Sequence, residues 1–530
     1  MNNARLKFWG WGYEGDVLSP AEVHWLESRW AAQFGVNQFE VTPPPTAEEI
    51  HLRPSRLNVP ASLRDVCTTD HYERLLHCYG YSFLDSVRMF ARDFSNPPDV
   101  IAYPRHEQDI IDLLDWCGRV GAAVMPFGGG TSVVGGVEPP RHYPAAVTID
   151  MKRMNRVLHI DPVSQTALIQ AGTVGPELER QLKPSGLTLR FFPQSFEYST
   201  PGGWIATRAG GHFAMLYTHI DDLVEGIRVV TPIGVMESRQ VPASGAGPAP
   251  NRLWLGSEGI LGIVTQSWMR LRPQPTFRAS TTVRFADFYM AVEAVRAISQ
   301  AGLYPANCRL LDPLEAAING SGNGQHAVLV LTFESADHAL DEWMKRTLEL
   351  CTDYGGEYDT ETMRQENAHR SGAAGQWRER FIRMPWFREA LTARGIIFET
   401  FETAVTWDQF PNLYVTVKEA TEQAVKEATG RPGLVSCRFT HIYPDGPAPY
   451  FTFGGLGDKT RLVEQFWTIK QVASDALIRA GGTITHHHAV GRDHRQWYDQ
   501  ERPAVFAAAL DAIKSKLDPQ RLLNPGVLID

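Results

Sequence analysis

The stretch "AAVMPFGGGTSVVGG", residues 122–136, decides the fold. Its first half reads as a buried strand, and Gly128, Gly129 and Gly130 follow it directly. Without Cβ atoms, such residues let backbone N–H groups converge on one concave spot, a nest for phosphate oxygens. The loop is neither a GxGxxG that opens a helix nor a Walker A loop, since no Gly-Lys-Ser/Thr follows. Taken alone it fits a plain glycine turn equally well.

Around it, residues 98–127 alternate an extended "PDVIAYP", an amphipathic helix "EQDIIDLLDWCGRV" and the strand above. From about 145 to 272 short β-rich runs dominate, interrupted by a helix "TVGPELERQLKPSG" with Thr173 as expected N-cap and Gly186 as stop. Beyond Pro273 and Pro275 the pattern becomes helices alternating with strands, which predicts a second sheet covered by helices. The expected divisions are a helical N-terminal segment (1–94), a first domain (95–275), a second domain (276–470) and a C-terminal segment (471–530) that returns to the first domain and the site. No internal repeat is present.

At 530 residues the chain is long enough for several domains. A net charge of −9 without a Lys/Arg-rich run offers no footprint for a nucleic-acid backbone. Six cysteines with no CxxC spacing fit free thiols in a reducing compartment, and a cytoplasmic address is expected. The N-terminus lacks a secretory signal, and no window nears the roughly 20 apolar residues of a membrane span. Peripheral membrane contact stays open.

Two further stretches, "PQSFEYSTPGGWIATRAGGH" (193–212) and "WLGSEGILGIVTQ" (254–266), also combine Gly with Ser/Thr beside β-rich runs, and three such loops can enclose one long ligand. Together with the closing "LDPQRLLNPG" they resemble the flavin-binding domain of the vanillyl-alcohol-oxidase/PCMH-type flavoprotein superfamily. In chain order, "RLKFWGWGYEGD", "LERQLKPSGL", "SFEYSTPGGWIATRAGG", "IDDLVEGIRVVTPIG", "FETFETAVTWD" and "HHHAVGRDHRQW" resemble segments of the alkyldihydroxyacetonephosphate synthase family, over most of the chain. The resemblance implies an α+β fold, with a two-subdomain FAD-binding domain and a substrate (cap) domain whose antiparallel sheet is covered by helices. It implies FAD on Pro126, Gly128, Gly129, Gly130, Thr131 and Ser132, with Gln194, Ser195, Tyr198, Ser199, Thr200, Gly202, Ala209 and Gly210 near the flavin. Glu258, Gly259 and Ile263 would line the adenosine side, and Arg309 would lie near the flavin. No histidine or cysteine stands where some relatives attach flavin covalently, so dissociable FAD is expected. His212, counted with the cofactor residues, is the exception to that expectation, because the family pattern has no histidine there.

The run His486, His487 and His488 is open to three readings: a metal site, a structural run, or a wall of a catalytic pocket. In an extended chain His486 and His488 would share one face and His487 the other. A metal site needs further ligands, and the H-x-G-D-G-N-x-H cluster of metal-dependent relatives is absent, so no metal is expected. The resemblance implies the third reading. By the same segments, Arg388 falls at the family's substrate-handling arginine and Tyr450 at its catalytic tyrosine. Without the resemblance, the two arginines read as surface ion pairs and Tyr450 as a half-buried strand aromatic.

The reaction implied is exchange of the acyl group of an acyl-dihydroxyacetone phosphate for a fatty alcohol, through a flavin N5 adduct and without net redox change. Tyr450, as a phenolate favoured by Arg388 or a protonated imidazole and assisted by His486 or His488, would remove the C1 proton. The chain departs from the family pattern in "PQSFEYST" and in "GGHFAMLYTHIDDL", where His212, Phe213, Ala214 and Met215 replace a basic stretch. The alternative reading is an FAD oxidoreductase acting on a D-2-hydroxy acid or other alcohol; a third is a flavin-binding protein without catalysis. A homodimer is implied by the family, and Trp386 and Phe387 are expected as a lipid-facing patch or as core.

Overall fold

The computed structural model describes residues 5–217, 219–359 and 384–529. Two small sheets and one large sheet organise the chain, and each is set by a recognisable pattern of residues.

The first sheet holds Cys67–Thr68 (β1), Val100–Ala102 (β2), Ala122–Phe127 (β3) and Ala145–Asp150 (β4) in the order β1-β2-β4-β3. β2 and β3 run parallel to β4, and the helix Glu107–Val120 makes the crossover. That helix begins at His106, whose side chain accepts from the Asp109 N–H, and ends at Gly121 in the left-handed region. The strand β3 is buried almost throughout, as a parallel strand covered on both faces requires. β1 comes from the N-terminal segment, so residues 1–94 are not purely helical but supply an edge of this sheet.

The second sheet is antiparallel and contains Val157–Asp161 (β5), Thr166–Gln170 (β6), Val224–Thr231 (β8), Gly234–Glu237 (β9) and Ile263–Arg270 (β10), in the order β5-β6-β10-β8-β9. Leu187–Thr188 (β7) pairs separately with Arg272–Pro273 (β11). The helix after β6 spans Gly175–Leu182 and is capped by Val174, not by Thr173. Thr173 is buried and its hydroxyl donates to the Gln170 carbonyl at 2.9 Å, which removes it from capping.

The third sheet has seven antiparallel strands: Phe277–Phe285 (β12), Asn307–Leu311 (β13), Ala327–Ser335 (β14), Glu357–Tyr358 (β15), Ile396–Glu402 (β16), Leu434–Ile442 (β17) and Pro447–Leu456 (β18), ordered β15-β12-β14-β13-β17-β18-β16. Apart from a bulge in β17 between Phe439 and His441, its strands largely alternate. Cys308, Leu310, Ile397, Phe401, Cys437, Phe439, Phe451 and Phe453 face a core shared with helices such as Phe410–Thr429 and Leu462–Arg479. On the opposite face Arg309, Arg438, Tyr450 and Thr452 line the cavity, while Ile396, Phe398 and Leu434 pack on the N-terminal helix Pro20–Phe34. The expected helix-covered antiparallel sheet is therefore present. The boundary placed at 470 falls inside the helix Leu462–Arg479, because that helix packs on the sheet along its whole length. Trp386 and Phe387 are buried, so they are core and not a lipid-facing patch. Among the described residues no helix is long and apolar enough to cross a membrane.

The C-terminal tail runs beside the first sheet. Leu523 bridges Val124, the Val124 N–H donates to the Leu522 carbonyl at 2.7 Å, and the Asn524 N–H donates to the Val124 carbonyl at 2.8 Å. Buried Lys514 donates to Asp518 and to the carbonyls of Ile260 and Leu523, fastening the last helix to the tail.

Candidate active site

One cavity runs between the third sheet and the first two, and the glycine loop forms one of its walls. A Cβ on Gly129 would collide with the Tyr198 carbonyl, and Gly130 has a φ of 67°, so neither position accepts another residue without rearrangement. Pro126, Gly128, Gly129, Gly130, Thr131 and Ser132 line the cavity, as do Gln194, Ser195, Ser199, Thr200, Gly202, Ala209, Gly210 and His212. Glu258, Gly259, Ile263 and Arg309 complete the expected set. Tyr198 does not belong to it: its ring packs on Trp11 and Tyr13, and only its backbone touches the loop.

Glu258 has a structural task here. Buried, it accepts the Val490 and Gly491 N–H groups at 2.8 Å each, and burial foremost pushes its carboxyl up to about 7. Asn524 donates to the Glu258 carbonyl at 2.7 Å and to that of Gly136 at 3.0 Å, so the C-terminal tail ties two cofactor loops together.

Opposite the loops stands the polar face of the third sheet. Cross-strand partners point to the same side, and the register places Glu402 beside Tyr450 and Tyr450 beside Arg438. The Arg438 guanidinium lies 3.9 Å above the Tyr450 ring and pairs with buried Glu315. The Tyr450 hydroxyl donates to Thr400 at 2.8 Å. Burial raises the Tyr450 pKa, with Arg438 the main opposing influence and Arg388 a smaller one, so this residue is a neutral phenol at neutral pH and not the expected phenolate. Arg388 is in the cavity wall, paired with buried Glu399 at 3.0 Å and donating to the Tyr81 carbonyl, so it is no surface ion pair. Arg309 is buried, and burial followed by the neighbouring Arg438 lowers its pKa to about 9. His212 has one ring nitrogen 2.9 Å from the Asn307 amide and the other 3.2 Å from Arg309.

The histidine run is bent, not extended. Glu402 accepts the N–H groups of His486, His487 and His488 at 2.5, 3.1 and 2.9 Å, and the Thr485 hydroxyl at 2.6 Å. Three successive N–H groups wrapped on one carboxylate abolish strand alternation. His487 and His488 therefore line the cavity beside Tyr450, at ring distances of 5.9 and 5.4 Å, whereas His486 turns away toward Tyr443. Burial foremost lowers the pKa of all three, to about 4 for His486, which leaves neutral imidazoles at pH 7. Burial works against Glu402, but its coupling to the adjacent histidines, His487 first, more than offsets it and lowers the Glu402 pKa whenever a neighbouring ring carries a proton.

Glu402, Arg438, Thr400, Thr440, His441 and Thr452 were not read from the sequence as site residues. A signal existed for most of them: polar residues at alternate positions in apolar strands, as in "FETFE" and "SCRFT". His441 had no such signal, because a register shift between Phe439 and His441 turns it to the cavity beside Thr440.

The cavity also fits the cofactor chemically. Buried Thr200 Oγ1 and Asn524 Oδ1 line it without a hydrogen-bond partner among the described residues, next to a glycine cradle that any Cβ would fill. A glycine cradle on one wall and polar side chains on the other suit a long phosphorylated cofactor facing a substrate, and the family models give the class, an FAD-dependent enzyme. The family model "FAD binding domain" matches residues 98–238, and "FAD linked oxidases, C-terminal domain" matches residues 274–528. Alkyldihydroxyacetonephosphate synthase of Caenorhabditis elegans is 32% identical over 86% of this chain and 80% of its own length. That of Dictyostelium discoideum is 28% identical over 93% of this chain and 83% of its own. A solved alkyldihydroxyacetonephosphate synthase structure superposes with a TM-score of 0.81 at 25% identity, covering 98% of each chain. The chain belongs to the alkyldihydroxyacetonephosphate synthase family.

Proposed function

We propose that this protein exchanges the acyl group of an acyl-dihydroxyacetone phosphate for a long-chain alcohol, forming an ether bond without net oxidation. One observation carries the reading. Besides the cofactor-side atoms, Arg388 Nε, Arg438 Nε and Thr452 Oγ1 are buried in the same cavity with no hydrogen-bond partner among the described residues. Such donors call for an anionic, oxygen-rich ligand, because leaving them unmet costs about 1–3 kcal/mol each. Ile318, Met384, Pro385 and Phe398 line the cavity as well and suit an alkyl chain.

The glycine cradle, Thr200 and Asn524 would hold FAD, which when bound would supply a covalent partner so that acyl departure and alcohol entry can occur as separate steps. The protein does the rest. A guanidinium of Arg438 or Arg388 orients the phosphorylated ketone and stabilises charge on its oxygen. A neutral imidazole, His487 or His488, takes the proton from C1, which the adjacent ketone acidifies. Tyr450, as a neutral phenol, donates to the oxygen that gains charge. Returning a proton to C1 and releasing the alcohol proton with the fatty acid closes the cycle without net redox change.

The test is mass spectrometry of products from the FAD-loaded protein incubated anaerobically with both substrates. Ether product with oxidised flavin supports the reading; no ether, but flavin bleached by D-2-hydroxy acids, moves the protein to the oxidoreductase class. Tyr450→Phe should reduce turnover by about 10²-fold or more while FAD stays bound. Turnover retained in that variant removes Tyr450 from the mechanism. A cytoplasmic homodimer with peripheral lipid contact belongs to the same proposal and is read by sedimentation with and without vesicles.

A further inference from the structure

A row of hydrogen-bonded rings leads out of the cavity, and the mechanism above leaves most of it unused. His487 lines the cavity, and its Nδ1 lies 3.0 Å from the Nδ1 of His486. The Nε2 of His486 lies 2.7 Å from the Tyr443 hydroxyl. Tyr443 sits in the turn between β17 and β18, next to exposed Pro444 and Asp445.

Two imidazole nitrogens at 3.0 Å repel unless a proton lies between them, so one donates and the other accepts. His486 is engaged in this way at both nitrogens and can accept a proton at one while releasing a proton from the other. The bend held by Glu402 fixes the two histidines in this arrangement. His441 packs against both rings, at 4.9 and 5.2 Å between centroids. Its nitrogens are committed elsewhere: Nε2 lies 3.1 Å from the Gly211 carbonyl, which can only accept, and Nδ1 lies 3.2 Å from the Thr440 hydroxyl. It is a wall of the row and not a member. His219, paired with Asp221, closes the other side of His486 at 5.9 Å between rings.

We propose that His487, His486 and Tyr443 form a proton relay that joins the cavity to solvent and carries away the proton taken from C1. The proposal rests on the acyl-exchange reading. The C1–H bond breaks with its electron pair left on carbon, and the proton goes to His487 Nε2. The Nδ1 proton of His487 passes to His486 Nδ1, the Nε2 proton of His486 passes to the Tyr443 oxygen, and the hydroxyl proton of Tyr443 goes to water. The reverse sequence returns a solvent proton to C1, so no net charge accumulates. In this assignment His487 is the base, and His486 and Tyr443 are positioning residues that act through it.

Two measurements on the FAD-loaded full chain decide it. In ¹⁵N-histidine-labelled protein without substrate, a low-field imidazole proton coupled to two ring nitrogens, and lost in His486→Gln, is expected. Its absence, or one equivalent of bound metal that His486→Gln releases, overturns the proposal. With acyl-dihydroxyacetone phosphate deuterated at C1, Tyr443→Phe should slow both washout of the label and turnover by about 10²-fold. KM and FAD content should not change, and free imidazole should partly restore His486→Gly. A Tyr443→Phe enzyme that loses the label at the wild-type rate overturns the relay. If the wild type gives neither ether nor washout, the acyl-exchange reading fails, and the shared-proton signal alone then decides whether the relay exists.

Discussion

Glu402 holds three consecutive backbone N–H groups and a hydroxyl, and the geometry of His486, His487 and His488 follows from that one carboxylate. Hydrogen bonds to a charged acceptor contribute about 1.5–3 kcal/mol each, enough to outweigh the preference of the chain for a straight strand. The bend gives each ring separate surroundings, and those of His486 are buried enough to disfavour its charged form. Burial lowers its pKa from 6.5 to about 4. Between those values the folded protein binds fewer protons here than the unfolded chain, so stability is intact above 6.5 and falls as the pH drops toward 4. The loss amounts to roughly 3 kcal/mol at the acid end. Thermal unfolding of the wild type and His486→Asn at pH 7 and pH 4.5 should show the larger fall in Tm for the wild type. Equal falls would mean that His486 protonates as it does in water.

At the scale of elements, the loop after β3 and the bulge in β17 do the shaping. The loop brings backbone so close to the Tyr198 carbonyl that even a methyl group at Gly129 meets it. Gly129→Ala should therefore purify colourless, with FAD content reduced at least tenfold by absorbance at the flavin bands. A yellow variant with full FAD content would show that the loop can move aside. The bulge between Phe439 and His441 breaks the alternation that otherwise keeps apolar residues of β17 in the core and polar ones in the cavity. Thr440 and His441, adjacent in sequence, consequently both reach the site.

The whole molecule makes one cavity from distant parts of the chain. Trp11 comes from the N-terminal segment, the glycine loop from the first sheet, Arg309, Arg438 and Tyr450 from the third, and His487, His488 and Asn524 from the C-terminal region. A ligand that touches so many parts is bound by the native state alone, so it stabilises the fold by mass action. FAD at a hundred times its Kd should add about 2.7 kcal/mol. Melts of stripped protein over a range of FAD concentrations should show Tm rising with the logarithm of concentration, and a flat Tm would show that the native state does not hold FAD.

The residues of "AAVMPFGGGTSVVGG" determine strand and turn by themselves, because each rests on local rules, apolar burial and the missing Cβ, whereas the reading of the turn as a phosphate cradle needs its companion loops and the family resemblance. The same rules place the helix Glu107–Val120 and the helix-covered third sheet, whereas Tyr450 and Arg309 are read as site residues only from the family resemblance. Only the tertiary structure decides what the three histidines do. The carboxylate that bends them stands more than eighty residues away, and the burial that keeps them neutral comes from packing of other segments. It also decides that Tyr450 is a neutral phenol and that Arg438, not Arg388, lies over its ring. Those properties arise from distance and desolvation between strands, which sequence spacing does not encode.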